Sequence, residues 1–113
     1  MPFIDVRTNR SVSPANLDAI KQAFGAAITA IPGKSESWLM VEIRGDEALY
    51  FKGSDAPAAM TQVSIYGRPD AAAFDDLTGR ITEILTKYLE VPADRIYVSY
   101  QCTEHWGWNG GNF

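Results

Sequence analysis

The sequence predicts an α+β fold in which two βαβ units form a four-stranded mixed sheet with both helices on one face. Two stretches carry apolar residues at helical spacing, and each is flanked by stretches in which apolar and polar residues alternate. The second half also repeats the first at a constant offset of 57, seen at Leu17 and Phe74 (74 − 17) and at Ile20 and Leu77 (77 − 20). A helix that crosses between two strands favours parallel pairing with a right-handed connection.

The first unit begins with a short strand at Phe3 to Val6. Ser13 and Pro14 predict a helix start, because serine is a common N-cap and proline suits the first helical position. The helix should bury one face, and Pro32-Gly33 should end it. A second alternating strand follows at 39–44. The predicted helix face consists of Leu17, Ile20, Phe24, Ala27, Ile28 and Ile31.

The second unit has the same order. After a brief extended piece at Leu49 to Phe51, a long strand is predicted at Met60 to Tyr66 and another at Ile96 to Gln101. Asp70 should open the intervening helix, and an aromatic, Gly-rich hairpin should close the chain. We expect a single domain over 1–113, with an internal pseudo-repeat of 1–57 and 58–113. The predicted second helix face consists of Phe74, Leu77, Ile81, Ile84, Leu85 and Tyr88.

With both helices on one face, the other face of the sheet is left uncovered. We expect that face to carry Ile4, Val41 and Val98 and therefore to form a large apolar patch. Patches of this kind usually mark an interface, so self-association should cover it.

Composition and charge narrow the class of protein. A formal net charge of −4 with no basic run argues against a nucleic-acid partner. No stretch approaches the roughly 20 apolar residues of a membrane span, and no signal peptide is predicted. We therefore expect a cytoplasmic protein, and the lone cysteine, Cys102, agrees with a reducing compartment. With His105 also alone, no metal site is expected.

The amino terminus offers a candidate catalytic group. The small residue after the initiator allows Met1 to be removed, which would leave the nitrogen of Pro2 as a secondary amine. An internal proline nitrogen is an amide with no proton to give, whereas a terminal one is a rigid base or nucleophile. The alternative is that Pro2 only permits removal of Met1 and begins a strand, where its missing N–H costs nothing.

The whole chain resembles the macrophage migration inhibitory factor family of the tautomerase superfamily. The resemblance rests on MPFI at Met1 to Ile4, PGK at Pro32 to Lys34, ADRIYVSY at Ala93 to Tyr100 and GWNGGNF at Gly107 to Phe113. It implies a homotrimer whose active sites lie at subunit boundaries. It also implies a keto–enol tautomerase that needs no cofactor and acts on phenylpyruvate-like aryl α-keto acids, its small-molecule partners.

In this family the amino-terminal proline is the general base, which here implies Pro2. A base works best with a pKa near the working pH, and apolar surroundings or a nearby cation lower the pKa of an amine. Phe3, Tyr66 and Lys34 should supply those surroundings. Lys34 matches the lysine that binds the substrate carboxylate; the alternative is a solvated lysine near a helix end.

Tyr97 matches a tyrosine that enters the site from the neighbouring subunit and places a phenol beside the substrate; the alternative is an ordinary strand tyrosine. Two positions depart from the family. Ser99 stands where animal members usually have asparagine, and Tyr66 replaces an aliphatic residue whose backbone N–H contacts substrate.

Aromatic residues are candidates for the wall that stacks an aryl substrate, and Trp38 matches a rim tyrosine of the family. Trp108 and Phe113 fit better the packing of the carboxyl-terminal hairpin on an adjacent subunit. The set consists of Trp38, Trp106, Trp108 and Phe113.

Two other interpretations of the function remain open. The superfamily also carries out hydration, dehalogenation and decarboxylation with an amino-terminal proline. The chain could instead be a trimeric, cytokine-like or partner-binding protein with an idle pocket.

Overall fold

The computed structural model describes residues 1–113, and its long elements follow the order strand, helix, strand twice over. They are β1 (Pro2–Thr8), α1 (Pro14–Ala27), β2 (Met40–Arg44), β3 (Ala59–Tyr66), α2 (Ala71–Leu89) and β4 (Ile96–Thr103). A hairpin of β5 (Gly107–Trp108) and β6 (Gly111–Asn112) closes the chain, and short 3-10 turns lie at Ile28–Ala30, Glu36–Trp38 and Ala93–Arg95.

The four long strands form one mixed sheet in the order β2-β1-β3-β4. β1 is parallel to β2 and β3 is parallel to β4, while the central pair β1 and β3 is antiparallel. β1 begins at Pro2 and β3 at Ala59, which are 57 positions apart (59 − 2). The predicted duplication of a βαβ unit is therefore confirmed.

Both helices begin at the predicted caps. The side chain of Ser13 accepts a hydrogen bond from Asn16 N at 3.1 Å, and Asp70 accepts one from Ala73 N at 2.9 Å. α1 ends earlier than its apolar pattern suggested: the chain passes through the 3-10 turn at Ile28–Ala30. Ile31 is then extended, as expected of a residue before proline.

The core lies between the two helices and one face of the sheet. Phe24 of α1 and Leu77 of α2 are fully buried against Ile4 and Val63 of the central strands. The register places Ile4 beside both Val41 and Val63. These residues therefore share the helix-covered face.

The prediction that Ile4, Val41 and Val98 lie on the uncovered face was wrong. All three pack in or against the helix-covered core. Alternation along a strand separates two faces but does not say which one the helices cover. The uncovered face is instead mixed in character, and the register assigns to it Phe3, Asp5, Arg7, Met40, Glu42, Arg44, Met60, Gln62, Ser64, Tyr97 and Ser99.

Ion pairs cross that uncovered face. The Asp5 carboxylate lies 3.2 Å from the guanidinium of Arg44, and Arg44 lies 3.5 Å from Glu42. The Asp5 side chain is only 12% exposed, so its charge is compensated mainly by Arg44.

The predicted extended piece at Leu49 to Phe51 forms only an isolated bridge between Phe51 and Ser54. Side chains from outside this segment donate hydrogen bonds to its backbone carbonyl groups. Asn9 binds Leu49 O at 3.2 Å, and Arg95 binds Phe51 O at the same distance. We call residues 49–58 the clamped loop.

Candidate active site

The amino terminus lies at one end of the sheet, where β1 begins. Pro2 is buried and pairs with Ile65 of β3. Met1 is present in the structure, so the nitrogen of Pro2 is an amide and the terminal amine belongs to Met1. The pKa of that amine is lowered from 8.0 to about 6, mainly by burial and to a lesser extent by a hydrogen bond with Lys34 and by the positive charge of Lys34.

Lys34 lies in the loop after the first helix, as predicted, and follows the 3-10 turn at Ile28–Ala30. Its Nζ donates a hydrogen bond to Tyr66 O at 2.9 Å and lies 5.7 Å from the centre of the Tyr66 ring. An ammonium group has three donors, and this contact uses one of them. The lysine is thus held at the amino terminus with donors left for an anionic ligand.

The backbone of Tyr66 completes the contact with the amino terminus. Tyr66 N donates to Met1 O at 3.0 Å. Removal of Met1 would take away this acceptor and leave the N–H beside the new terminal amine of Pro2. Phe3, the next residue of β1, is half-buried on the opposite face of the sheet.

An aromatic cluster lies next to Lys34 and Tyr66. The Tyr66 and Phe113 rings are 5.5 Å apart, and Trp108 stacks on Phe113 at 6.2 Å. Trp38 meets Trp108 edge to face at 5.0 Å. Trp108 and Phe113, which the sequence assigned to packing on an adjacent subunit, thus contact site candidates of their own chain. Trp106 supports the cluster through its backbone, because its carbonyl accepts from Phe113 N at 3.0 Å.

A cavity of about 440 Å³ opens beside Lys34 and Tyr66, within the range usual for small-molecule sites. Arg68 also lines it, with its Nε 3.4 Å from the Glu104 carboxylate. Sequence reasoning had given Arg68 no role, although its position two residues after Tyr66 could have suggested one.

Tyr97 and Ser99 do not join this group within one chain. Pro2 pairs with Ile65, whereas Tyr97 pairs with Met60, five positions away along β3. At about 3.3 Å per residue the separation along the strand is about 17 Å. Tyr97 packs against Phe51 at the far end of the sheet. A site that contains both Pro2 and Tyr97 therefore needs two copies of the chain.

The remaining polar groups form no metal centre. No three His, Cys, Asp or Glu side chains are grouped so that they could hold a metal ion. The helices of the structure also lack the length and apolar character needed to cross a membrane.

Comparison with known proteins places this fold and sequence in a family. Residues 1–113 match the sequence profile described as Macrophage migration inhibitory factor (MIF). The chain belongs to the macrophage migration inhibitory factor family. That family is part of the tautomerase superfamily.

Individual MIF proteins are similar over their full length. The macrophage migration inhibitory factor of Xenopus laevis is 31% identical over 119 residues, covering 100% of this chain and 99% of the relative. The crystal structure of MIF2 from Leishmania major superposes with a TM-score of 0.93 at 34% identity, covering 100% of this chain and 97% of that one. The MIF of Trichinella spiralis gives a TM-score of 0.83 at 25% identity, with 98% and 99% covered.

Proposed function

We propose that this MIF-family protein is a cofactor-independent keto–enol tautomerase of phenylpyruvate-like aryl α-keto acids. Pro2, exposed as the terminal residue by removal of Met1, is the general base. The observation that carries the proposal is the convergence of the terminal amine, Lys34 and the Tyr66 N–H at one end of the sheet.

In the enolisation direction, Pro2 takes a proton from the carbon next to the carbonyl, and the resulting ammonium gives that proton to the carbonyl oxygen, which restores the free amine. Ketonisation returns the proton to carbon. The same burial and the same lysine that lower the pKa of the Met1 amine to about 6 act on an amine at Pro2. A lowered pKa of the Pro2 amine favours its neutral form, which is the form that a general base needs.

Lys34 anchors the substrate carboxylate as a point charge. The backbone N–H of Tyr66, freed from Met1 O, donates to a substrate oxygen. Met1 therefore blocks the site in two ways while it remains: it turns the Pro2 nitrogen into an amide and its carbonyl occupies the Tyr66 donor.

The aryl group of the substrate lies against the aromatic cluster, with Trp38 at its rim. Trp108 and Phe113 extend this wall, and Trp106 supports it through its carbonyl, which accepts from Phe113 N. No ring contact joins Phe3 to this wall. Aromatic rings prefer offset or edge-to-face contacts, which an open cluster of this kind can offer to a phenyl ring.

A homotrimer supplies the rest of the site. In this arrangement Tyr97 and Ser99 of one copy reach the Pro2 site of the next, which accounts for their separation from Pro2 within one chain. The partners are thus α-keto acids and further copies of this chain, and not nucleic acid or a membrane. A cytoplasmic location is proposed from the exposed, unpaired Cys102 and would be tested by cell fractionation.

The experiment is phenylpyruvate ketonisation by protein whose loss of Met1 is verified by mass spectrometry. Three comparators are needed: the Met1-retaining form, Pro2→Gly and, as a matched proline control, Pro14→Ala in the first turn of α1. We expect activity in the trimmed protein and Pro14→Ala, and its loss in the other two at unchanged oligomeric mass. Equal turnover with and without Met1 would exclude Pro2 as the base. No turnover in the trimmed wild type would favour another superfamily reaction or a partner-binding protein.

A further inference from the structure

We propose that the clamped loop is the device that orients Tyr97, with Arg95 and Phe51 as its positioning residues. The inference rests on the proposed function, in which Tyr97 completes the site of a neighbouring copy. Neither residue touches the Pro2 site of its own chain; both act through the direction of the Tyr97 ring.

Arg95 holds the loop by its backbone. Its guanidinium donates to four carbonyl oxygens, those of Phe51 at 3.2 Å, Ser54 at 3.0 Å, Ala56 at 3.0 Å and Pro57 at 2.9 Å. The planar fork of arginine can serve several acceptors at once, which a lysine ammonium cannot match in geometry. One side chain therefore sets the path of seven loop residues.

Asn9 holds the loop from the other side. Its amide nitrogen lies within 3.2 Å of Leu49 O and within 3.0 Å of both Asp55 O and Ala56 O. Its amide oxygen accepts from Ala58 N at 2.9 Å. Both ends of the clamped loop are thus tied to residues outside it.

Phe51 of the clamped loop contacts the ring of Tyr97 directly, so the position of the loop constrains that ring. The guanidinium of Arg95 lies 5.3 Å from the centre of the Phe51 ring, and that ring meets Tyr97 at 4.8 Å and 60°. Tyr97 is otherwise 61% exposed and makes no side-chain hydrogen bond within the chain. The Phe51 contact is therefore the main constraint on where its phenol points.

Loss of that constraint should weaken substrate positioning and leave the base unaltered. A misdirected phenol loses its contact with the substrate, and one such contact strengthens binding by up to about tenfold. For Arg95→Met and for Phe51→Leu we therefore expect a rise of up to about tenfold in KM for phenylpyruvate. The pH midpoint of kcat/KM on its acidic side, which reports the amine, should stay unchanged. Phe51→Leu leaves the Arg95 contacts intact, so it tests the ring contact alone, and Arg80→Met on α2 is the matched arginine control.

A mixing experiment separates action on the neighbour from action within the chain. Arg95→Met subunits are co-assembled with an excess of amino-terminally extended subunits, which lack the base but carry an intact Tyr97. The active sites that remain then belong to Arg95→Met subunits, and most of these sites receive Tyr97 from an extended subunit in which Arg95 is intact. If Arg95 acts through Tyr97, these sites have a correctly oriented Tyr97. Their KM should return to the wild-type value. A KM that stays elevated in the mixture would overturn the inference.

A second readout does not depend on turnover. Protein labelled with 3-fluorotyrosine is studied by ¹⁹F NMR. The resonance of Tyr97 is identified as the one that is missing from the spectrum of the Tyr97→Phe variant. It should shift in Arg95→Met and Phe51→Leu and not in Arg80→Met. An unshifted resonance would refute the positioning role even if the enzyme is active. A shifted resonance in a protein without tautomerase activity would support the positioning role and place the failure in the proposed function.

Discussion

Replacement of Lys34 by glutamine tests the electrostatics of the amino terminus directly. The pKa of the Met1 amine falls from 8.0 to about 6, with burial as the largest cause and Lys34 contributing a hydrogen bond and its charge. At pH 7 an amine with a pKa of 8.0 is about 10% free base, and one with a pKa of about 6 is about 90% free base. Lys34→Gln removes the positive charge of the lysine and leaves the burial. The midpoint should therefore rise above 6 and stay below 8.0.

The titration is followed by NMR in the Met1-retaining form with ¹³C-labelled methionine, the Met1 signal being identified by its loss on trimming. Lys21→Gln, which removes an exposed lysine paired with Asp18, is the control and should leave the midpoint unchanged. In the trimmed form Lys34→Gln should also raise KM about ten- to hundredfold, because a charged hydrogen bond to the substrate carboxylate is lost. A midpoint that stays fixed or falls in Lys34→Gln would refute this account of the amine.

Two further substitutions separate the fold from the site. Phe24→Ala empties the fully buried centre of the core and should lower the free energy of unfolding by about 3–5 kcal/mol in chemical denaturation; a loss below about 1 kcal/mol would mean that the core rearranges to fill the space. Trp108→Leu removes the ring that meets Trp38 and Phe113 at a half-exposed position. It should raise KM for phenylpyruvate and leave the unfolding midpoint nearly unchanged, whereas an unaltered KM would remove Trp108 from the aromatic wall.

Local patterns were enough to predict the fold. The repeat of apolar positions at an offset of 57 defined both βαβ units, and the caps at Ser13 and Asp70 were read from neighbouring residues alone. The orientation of the sheet was not predictable in the same way. Ile4 and Phe3 are both apolar, so alternation could not tell which of them faces the helices.

The candidate site was predicted in part, and its missing parts depend on distant contacts. The family resemblance pointed to Pro2, Lys34 and Tyr66, and the structure brings them together; their roles stay predictions. The contact of Phe113 with Tyr66 joins residues 47 positions apart (113 − 66). The clamped loop depends on Asn9, whose partners lie 40 to 49 positions away. No local pattern in the sequence reports such distances.

Because the βαβ unit is duplicated, the two ends of the sheet have the same arrangement of strands and helix but carry different residues at equivalent positions. The residues 57 positions after Lys34 and Trp38 are Val91 and Arg95 (91 − 34, 95 − 38). The residue equivalent to Pro2 in the second unit is Ala59 (59 − 2), whose nitrogen lies inside the chain and is always an amide. In the proposed function, one end of the sheet therefore carries the base and the other end carries Tyr97. Contacts between unlike ends join copies head to tail, and such contacts close into a ring when the rotation allows it. In the proposed trimer every Pro2 would meet the Tyr97 of a neighbouring copy, whereas a single chain would hold both halves of the site at opposite ends of its sheet.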